Sequence, residues 1–234
     1  MSSSRAPSPV EIHCKGILFD MDGILISSIA SVERSWTRWA NLRGIDPVDA
    51  LHIAHGRRAI ETIAKLRPDL DSEAELKIIE DIEIADTEDL TVLPGVLNLL
   101  AALPPSRWTV VTSATDRLAR ARLAQGGLPL PEHLVTANQV TRGKPHPEPF
   151  LVGAAVLGFA PEECVVFEDS SSGAQAGRAA GCTVIATTFS HPIDSLDAAQ
   201  YLVTDLTGIA VAVSADGITL QIQPINSQSD NSVH

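Results

Sequence analysis

The stretch GILFDMDG at residues 16–23 decides how the chain is read. Four apolar residues in an unbroken run, followed at once by two aspartates and a glycine, describe a strand buried on both faces that ends in a turn. Three further runs share this character: WTVVT at 108–112, CVVF at 164–167 and CTVIAT at 182–187. Between them lie helix-length segments, 116–125, 148–157 and 174–180, followed by Gly126, Gly158 and Gly181 where helices commonly stop. This alternation predicts an α/β fold, a Rossmann-like doubly wound parallel sheet. Ligands of such sheets bind beyond the carboxyl ends of the strands, so the residues that follow each run carry the most information.

The stretch 28–90 breaks the alternation. It holds no convincing strand and repeats apolar residues at helical spacing, in Trp36, Trp39 and Leu42 and again in Ile60, Ile63 and Leu66. It reads as a small helical cap inserted after the first strand. That leaves 13–27 and 91–222 as the Rossmann-like catalytic core, with Pro94-Gly95 starting the return to the sheet. The polar ends, 1–12 and 223–234, read as mobile tails, and Ala215-Asp216-Gly217 as the turn of a terminal hairpin. There is no internal repeat.

Composition excludes several classes. With 234 residues, 44% hydrophobic and 20% charged, the chain can bury a sizeable core and is not disordered as a whole. No apolar stretch reaches the roughly 18–20 residues of a membrane helix, and MSSSRAPSPVEIH lacks the apolar segment of a secretory signal. A net charge of −12 argues against nucleic acid as a partner. Cys14, Cys164 and Cys182 lie far apart without a CxxC, so neither a disulfide framework nor a zinc site is indicated. The expectation is a soluble cytoplasmic protein with no membrane, nucleic-acid or obligatory protein partner.

The strand ends carry the chemistry. Asp20 and Asp22 point the same way if the chain stays extended, although a plain turn would use the same residues. A calcium loop is excluded, because Ile24 stands where its next oxygen ligand belongs. Thr112 and Ser113 precede a helix, so their hydroxyls and N–H groups face an anion well; simple capping would also explain them. Lys144 sits in RGKPHP at 142–147, a loop stiffened by two prolines. CVVF runs into Glu168-Asp169-Ser170, and acids beside an apolar strand are costly to bury unless a cation or hydrogen bonds receive them. Asp169 as a helix N-cap is the plain alternative. Each feature has a bland reading, but four in this order at four strand ends are hard to assemble by coincidence.

The set resembles the haloacid dehalogenase superfamily of phosphohydrolases, whose four motifs match FDMDGILISS, VVTSAT, RGKPHPEPF and VVFEDSSSGAQAGRAAGC across roughly residues 15–190. The insertion is similar to that of the subgroup containing β-phosphoglucomutase and the sugar phosphatases. The runs SVERSW and HGRRAIETIAKL look like those of 2-deoxyglucose-6-phosphatase and glycerol-phosphatase enzymes. The resemblance implies a Mg²⁺-dependent phosphatase that hydrolyses a small phosphorylated sugar or polyol through an aspartyl-phosphate. Asp20 would be the nucleophile, and Asp22 would protonate the leaving alcohol and then activate water. Asp20, Asp169, Glu168 and the backbone carbonyl of Asp22 would hold Mg²⁺, with the ranking of Glu168 against Asp169 left open. Thr112, Ser113, the N–H of Ala114 and Lys144 would hold the phosphate oxygens.

The cap would close over the phosphate and read the leaving group, with Glu33, His55, Arg57 and Arg58 as candidate readers. Trp36 and Trp39 read as cap core. Ile24, the pair Ser171 and Ser172, and His146 depart from the usual motif residues, and His146 puts a contact around the lysine in question. A phosphosugar mutase is the alternative. Related mutases use a cap histidine, and Ala30-Ser31-Val32-Glu33 offers none at the matching place. Dehalogenase chemistry, or a non-catalytic binding role, would leave Asp22 and the Glu168-Asp169 pair unexplained.

Overall fold

The computed structural model describes residues 8–54 and 57–225. Its strands are β1 (Val10–Cys14), β2 (Gly16–Phe19), β3 (Ile26–Ser27), β4 (Thr91–Val92), β5 (Trp108–Val111), β6 (Leu134–Val135), β7 (Cys164–Glu168), β8 (Thr183–Thr187), β9 (Tyr201–Val203), β10 (Ala210–Val213) and β11 (Ile218–Ile222). The α-helices are α1 (Ile29–Arg43), α2 (Pro47–Ala54), α3 (Ala59–Leu66), α4 (Ser72–Ala85), α5 (Val96–Ala102), α6 (Asp116–Gln125), α7 (Glu148–Leu157) and α8 (Ser171–Ala180). None is long and apolar enough to cross a membrane.

Six strands form one parallel sheet in the order β6-β5-β2-β7-β8-β9. The chain runs outward from β2 to β6, returns to the middle, and runs outward again from β7 to β9. The order reverses between β2 and β7, which is where a crevice for ligands opens in such sheets. Every residue of β2, β5 and β7 is buried, the physical reason their sequences are unbroken apolar runs. Phe19 lies opposite Phe167 with the rings stacked at 5.2 Å. The Asp20 N–H donates to the Phe167 carbonyl at 2.9 Å, carrying the ladder one residue past the strand and setting Asp20 beside the end of β7.

The tails are shorter than the sequence implies. Residues 10–12 belong to β1, which pairs with β11 in a three-stranded antiparallel sheet, β1-β11-β10, so they are not a mobile tail. Ile12 and Cys14 face the core on alternate residues. At the other end the Ile225 N–H bonds the Leu202 carbonyl at 2.8 Å. Residues 1–7 and 226–234 lie outside the described residues. The turn at Ala215-Asp216-Gly217 does join a hairpin, β10–β11.

The helices α1–α4 form a layer entered and left through the antiparallel ribbon β3–β4. Trp36, Trp39, Ile63 and Ile79 are its core, the two indoles meeting edge to face at 5.5 Å. Leu42 is 56% exposed and does not extend the stripe. With 3.6 residues per turn the inward face runs from Trp36 through Trp39 and Ala40 to Arg43, whose Nε donates to Glu75 at 2.7 Å. Helix α6 carries on through Gly126 in right-handed geometry, and the left-handed residue is Gly127. Helix α8 starts at Ser171, three residues before the sequence reading.

Candidate active site

Beyond Phe19 the chain does not stay extended. The N–H groups of Leu25 and Ile26 both donate to the Met21 carbonyl, at 2.9 and 3.0 Å, and Gly23 donates to the Ile26 carbonyl at 2.8 Å. This turn buries Met21, Ile24, Leu25 and Ile26 in the main core, which accounts for an apolar Ile24. Asp20 and Asp22 nonetheless line one cavity. Gly23 has φ +82°, and a Cβ there would lie 1.8 Å from Asp169 Oδ2, so only glycine lets the two strand-end loops approach this closely.

Asp20, Glu168 and Asp169 are buried, and one oxygen of each lies within 4.8 Å of the others. Lys144 Nζ bridges Asp20 Oδ1 and Glu168 Oε1 at 2.6 Å each. Glu168 Oε2 accepts from Asp169 N–H, Ser170 N–H and Ser170 Oγ, each at 2.9 Å. Its carboxylate is thus engaged by donors at both oxygens. Ser170, not Asp169, caps α8 by accepting from Gly173 N–H at 3.1 Å. That leaves Asp169 turned toward Asp20, with Ser190 Oγ donating to its Oδ2.

Three carboxylates face one ammonium. Burial raises the Asp20 carboxyl to about 7, opposed by Lys144 and reinforced by Glu168 and Asp22. Burial, with Glu168 and Asp20 close by, also raises Asp169 well above the usual range. Burial acts on Glu168 in the same sense, but Lys144 and the Ser170 donors hold it below its ordinary value. Lys144 is raised despite burial, because Asp20 and Glu168 favour its charged form. The cluster is short of positive charge and offers oxygen donors only, a set that fits a hard divalent cation.

The other strand ends complete the cavity. Thr112, Ser113 and Ala114 line it. The Thr112 hydroxyl accepts from Ala114 N–H at 3.1 Å, so these two are engaged with each other in shaping the loop. Thr115 caps α6, accepting from Leu118 N–H at 3.3 Å. His146 Nδ1 accepts from Glu148 N–H at 3.1 Å, and Glu148 accepts from the N–H groups of Thr141 and Arg142 at 2.5 and 3.2 Å. This mesh holds the loop carrying Lys144 and gives His146 its own task.

The insertion residues divide. Arg57 lines the cavity. Arg58 spans to the Lys144 loop instead, donating to the carbonyls of Thr141 and Ala137 at 2.9 and 3.2 Å. Glu33 is exposed on α1 and does not line the cavity, and His55 lies outside the described residues. Sequence reasoning missed Arg122, 3% exposed, whose Nη1 donates to Asp22 Oδ1 at 2.9 Å beside Ser28 Oγ at 2.6 Å. The available signal was an arginine on the buried face of α6, in line with Leu118, Ala119 and Leu123.

Residues 14–181 match the family described as haloacid dehalogenase-like hydrolase. The chain is 41% identical over 211 residues to hexitol phosphatase A of Escherichia coli (strain K12), covering 88% of this chain and 98% of that protein. It is 36% identical over 195 residues to glycerol-1-phosphate phosphohydrolase 2 of Saccharomyces cerevisiae, covering 77% of this chain and 78% of that one. Among solved structures, a putative β-phosphoglucomutase from Bacteroides vulgatus superposes with a TM-score of 0.70 at 28% identity, covering 84% of this chain and 86% of its own. With its parallel sheet, its helical insertion and the acids at the β2–β7 reversal, the chain belongs to the haloacid dehalogenase-like hydrolases.

Proposed function

We propose that the protein is a Mg²⁺-dependent phosphatase that hydrolyses a small phosphorylated sugar or polyol through an aspartyl-phosphate on Asp20. The observation that carries this reading is the setting of Asp20 at the strand reversal, with Oδ1 held by Lys144 at 2.6 Å inside a cluster short of positive charge. Oδ2 is left to attack phosphorus. The P–O bond to the alcohol breaks as the acyl phosphate forms, and protonated Asp22 gives its proton to the departing oxygen. Asp22, now a carboxylate, takes a proton from the water that attacks phosphorus and frees Asp20. Lys144 and Ser113 hold the phosphate oxygens, while Thr112, bonded to the Ala114 N–H, shapes that loop.

Asp20, Asp169 and the Asp22 carbonyl would hold Mg²⁺. Glu168, engaged at both oxygens, anchors Lys144 and the α8 loop instead. When bound, the cation offsets the repulsion between carboxylate and phosphate. Residues 28–90 act as the cap over a core of 13–27 and 91–222, with Arg57 as the cap reader facing the cavity. The names of two relatives, hexitol phosphatase A and glycerol-1-phosphate phosphohydrolase 2, support a small sugar or polyol phosphate as the substrate class. Three free, buried cysteines suit a reducing, cytoplasmic setting.

The test is phosphate release from a panel of sugar and polyol phosphates with Mg²⁺ and with EDTA. Strong release that EDTA abolishes, lost by about four orders of magnitude in Asp20→Asn while the protein stays folded, is expected. Release unchanged in Asp20→Asn rejects the covalent route. Isomerisation of a bisphosphate-primed hexose phosphate faster than release makes the protein a mutase.

A further inference from the structure

A second polar cluster in the cavity is unused by the phosphate chemistry. Arg122, on α6, places Nη1 on Asp22, but its Nε and Nη2 have no hydrogen-bond partner among the described residues. Glu83, on α4, is buried as well, and its Oε1 stands 3.7 Å from Nη2, within ion-pair range but too far for a hydrogen bond. Burial pushes the Glu83 carboxyl up to about 7, with Arg122 opposing. Ionisable groups this deep are costly unless their polar atoms find partners. Both residues line the same cavity as Asp20 and Asp22, together with Leu76, Ile79 and Trp36, whose indole N–H also favours the charged form of Glu83.

We propose that Arg122 and Glu83 recognise the leaving alcohol by binding the hydroxyl on the carbon next to the phosphorylated one. This rests on the phosphatase reading above. The departing ester oxygen must reach Asp22 to be protonated. Arg122 is bonded to that same carboxylate, so its free donors lie beside the leaving oxygen, where a vicinal hydroxyl follows along the substrate. A hydroxyl both donates and accepts. Seated to one side of the 3.7 Å gap, it bridges the pair, accepting from Nη2 and donating to Oε1. The carbon-bound hydrogens of the polyol then meet Trp36, Leu76 and Ile79. A carboxylate in that position would be repelled by Glu83, and an ammonium by Arg122. Discrimination on this view begins on the sheet side of the cavity, at a core helix, as well as in the insertion.

The test compares kcat/KM for glycerol 3-phosphate and for the monophosphate of propane-1,3-diol, which lacks only the vicinal hydroxyl. The wild-type protein is expected to prefer glycerol 3-phosphate by roughly 10- to 100-fold, the range for a hydrogen bond to a charged group. Arg122→Gln and Glu83→Gln should each bring the ratio close to one, chiefly through KM for glycerol 3-phosphate. Because the readout is a ratio, a general loss of activity cancels. Equal turnover of the two substrates by the wild type overturns the inference without any variant, and so does a preserved ratio in folded Arg122→Gln. Arg122→Lys, which keeps the charge but loses the fork, should give an intermediate ratio and serves if Arg122→Gln fails to fold. Release from p-nitrophenyl phosphate but from neither polyol phosphate overturns the polyol reading itself, and this inference with it.

Discussion

Glu83 shows what one buried carboxyl does to stability. Its carboxyl is moved from an ordinary 4.5 to about 7, chiefly by burial, so the folded chain holds that proton more tightly than the unfolded one. The linkage sign follows: the native state binds more protons between these values, so stability present below about 4.5 is lost as pH rises to about 7. Glu83→Gln removes that loss. In urea titrations at pH 5 and pH 8, wild-type stability relative to the variant should fall by on the order of 3 kcal/mol. Parallel pH dependence in the two proteins would reject the assignment. Lys144 is the opposite case. Its charge is retained because Asp20 and Glu168 each sit 2.6 Å away, and losing it would strand two buried carboxylates.

At the scale of elements, the site is made by strand ends handing over to helix starts. β7 ends in Glu168, Ser170 caps α8, and Gly173 in the first turn of that helix makes room for the Glu168 side chain. A Cβ at Gly173 would fall 1.7 Å from Glu168 Oε1. Gly173→Ala sets two effects against each other. Alanine gains about 1 kcal/mol in helix propensity, whereas displacing a buried carboxylate from its donors costs about 3–5 kcal/mol. The steric effect wins, and a net loss of about 2–4 kcal/mol is expected by chemical denaturation, with activity falling because Lys144 loses a partner. A more stable, fully active Gly173→Ala would show that Glu168 is not held as described.

At the scale of the whole molecule, the insertion is tied to the sheet domain across the cavity at several points. Arg58 reaches the carbonyls of Thr141 and Ala137, Arg117 pairs with Glu80 and Asp81, and Gln125 donates to the Ile84 carbonyl at 3.1 Å. Beneath those ties lies the acidic cluster. A divalent cation that binds there stabilises only the folded state. At a hundred times its dissociation constant, Mg²⁺ should add about 2.7 kcal/mol and raise the melting temperature by about 5–10 °C. EDTA should reverse the shift, and Asp169→Asn should diminish it. A melting temperature indifferent to saturating Mg²⁺ would remove the metal from the mechanism.

By itself the sequence determined the sheet and the polar residues that follow its strand ends. Strands buried on both faces need continuous apolar runs, helices stop near glycine, and ligand groups follow strand ends; each signal acts over a few residues and is legible locally. The same locality kept the rest hidden. Strands β6 and β9 span two and three residues and are strands only because a neighbour is there to pair with. Residues 10–12 read as a tail until β11 arrives from the other end of the chain. Arg58 reads as a substrate contact, yet its donors go to carbonyls 79 and 83 positions away. Arg122 on an apolar helix face makes sense only beside Asp22, 100 positions earlier. Tertiary structure alone decided which of the many charged side chains are buried, and which partners share their burial, because desolvation and pairing depend on neighbours in space and not in sequence.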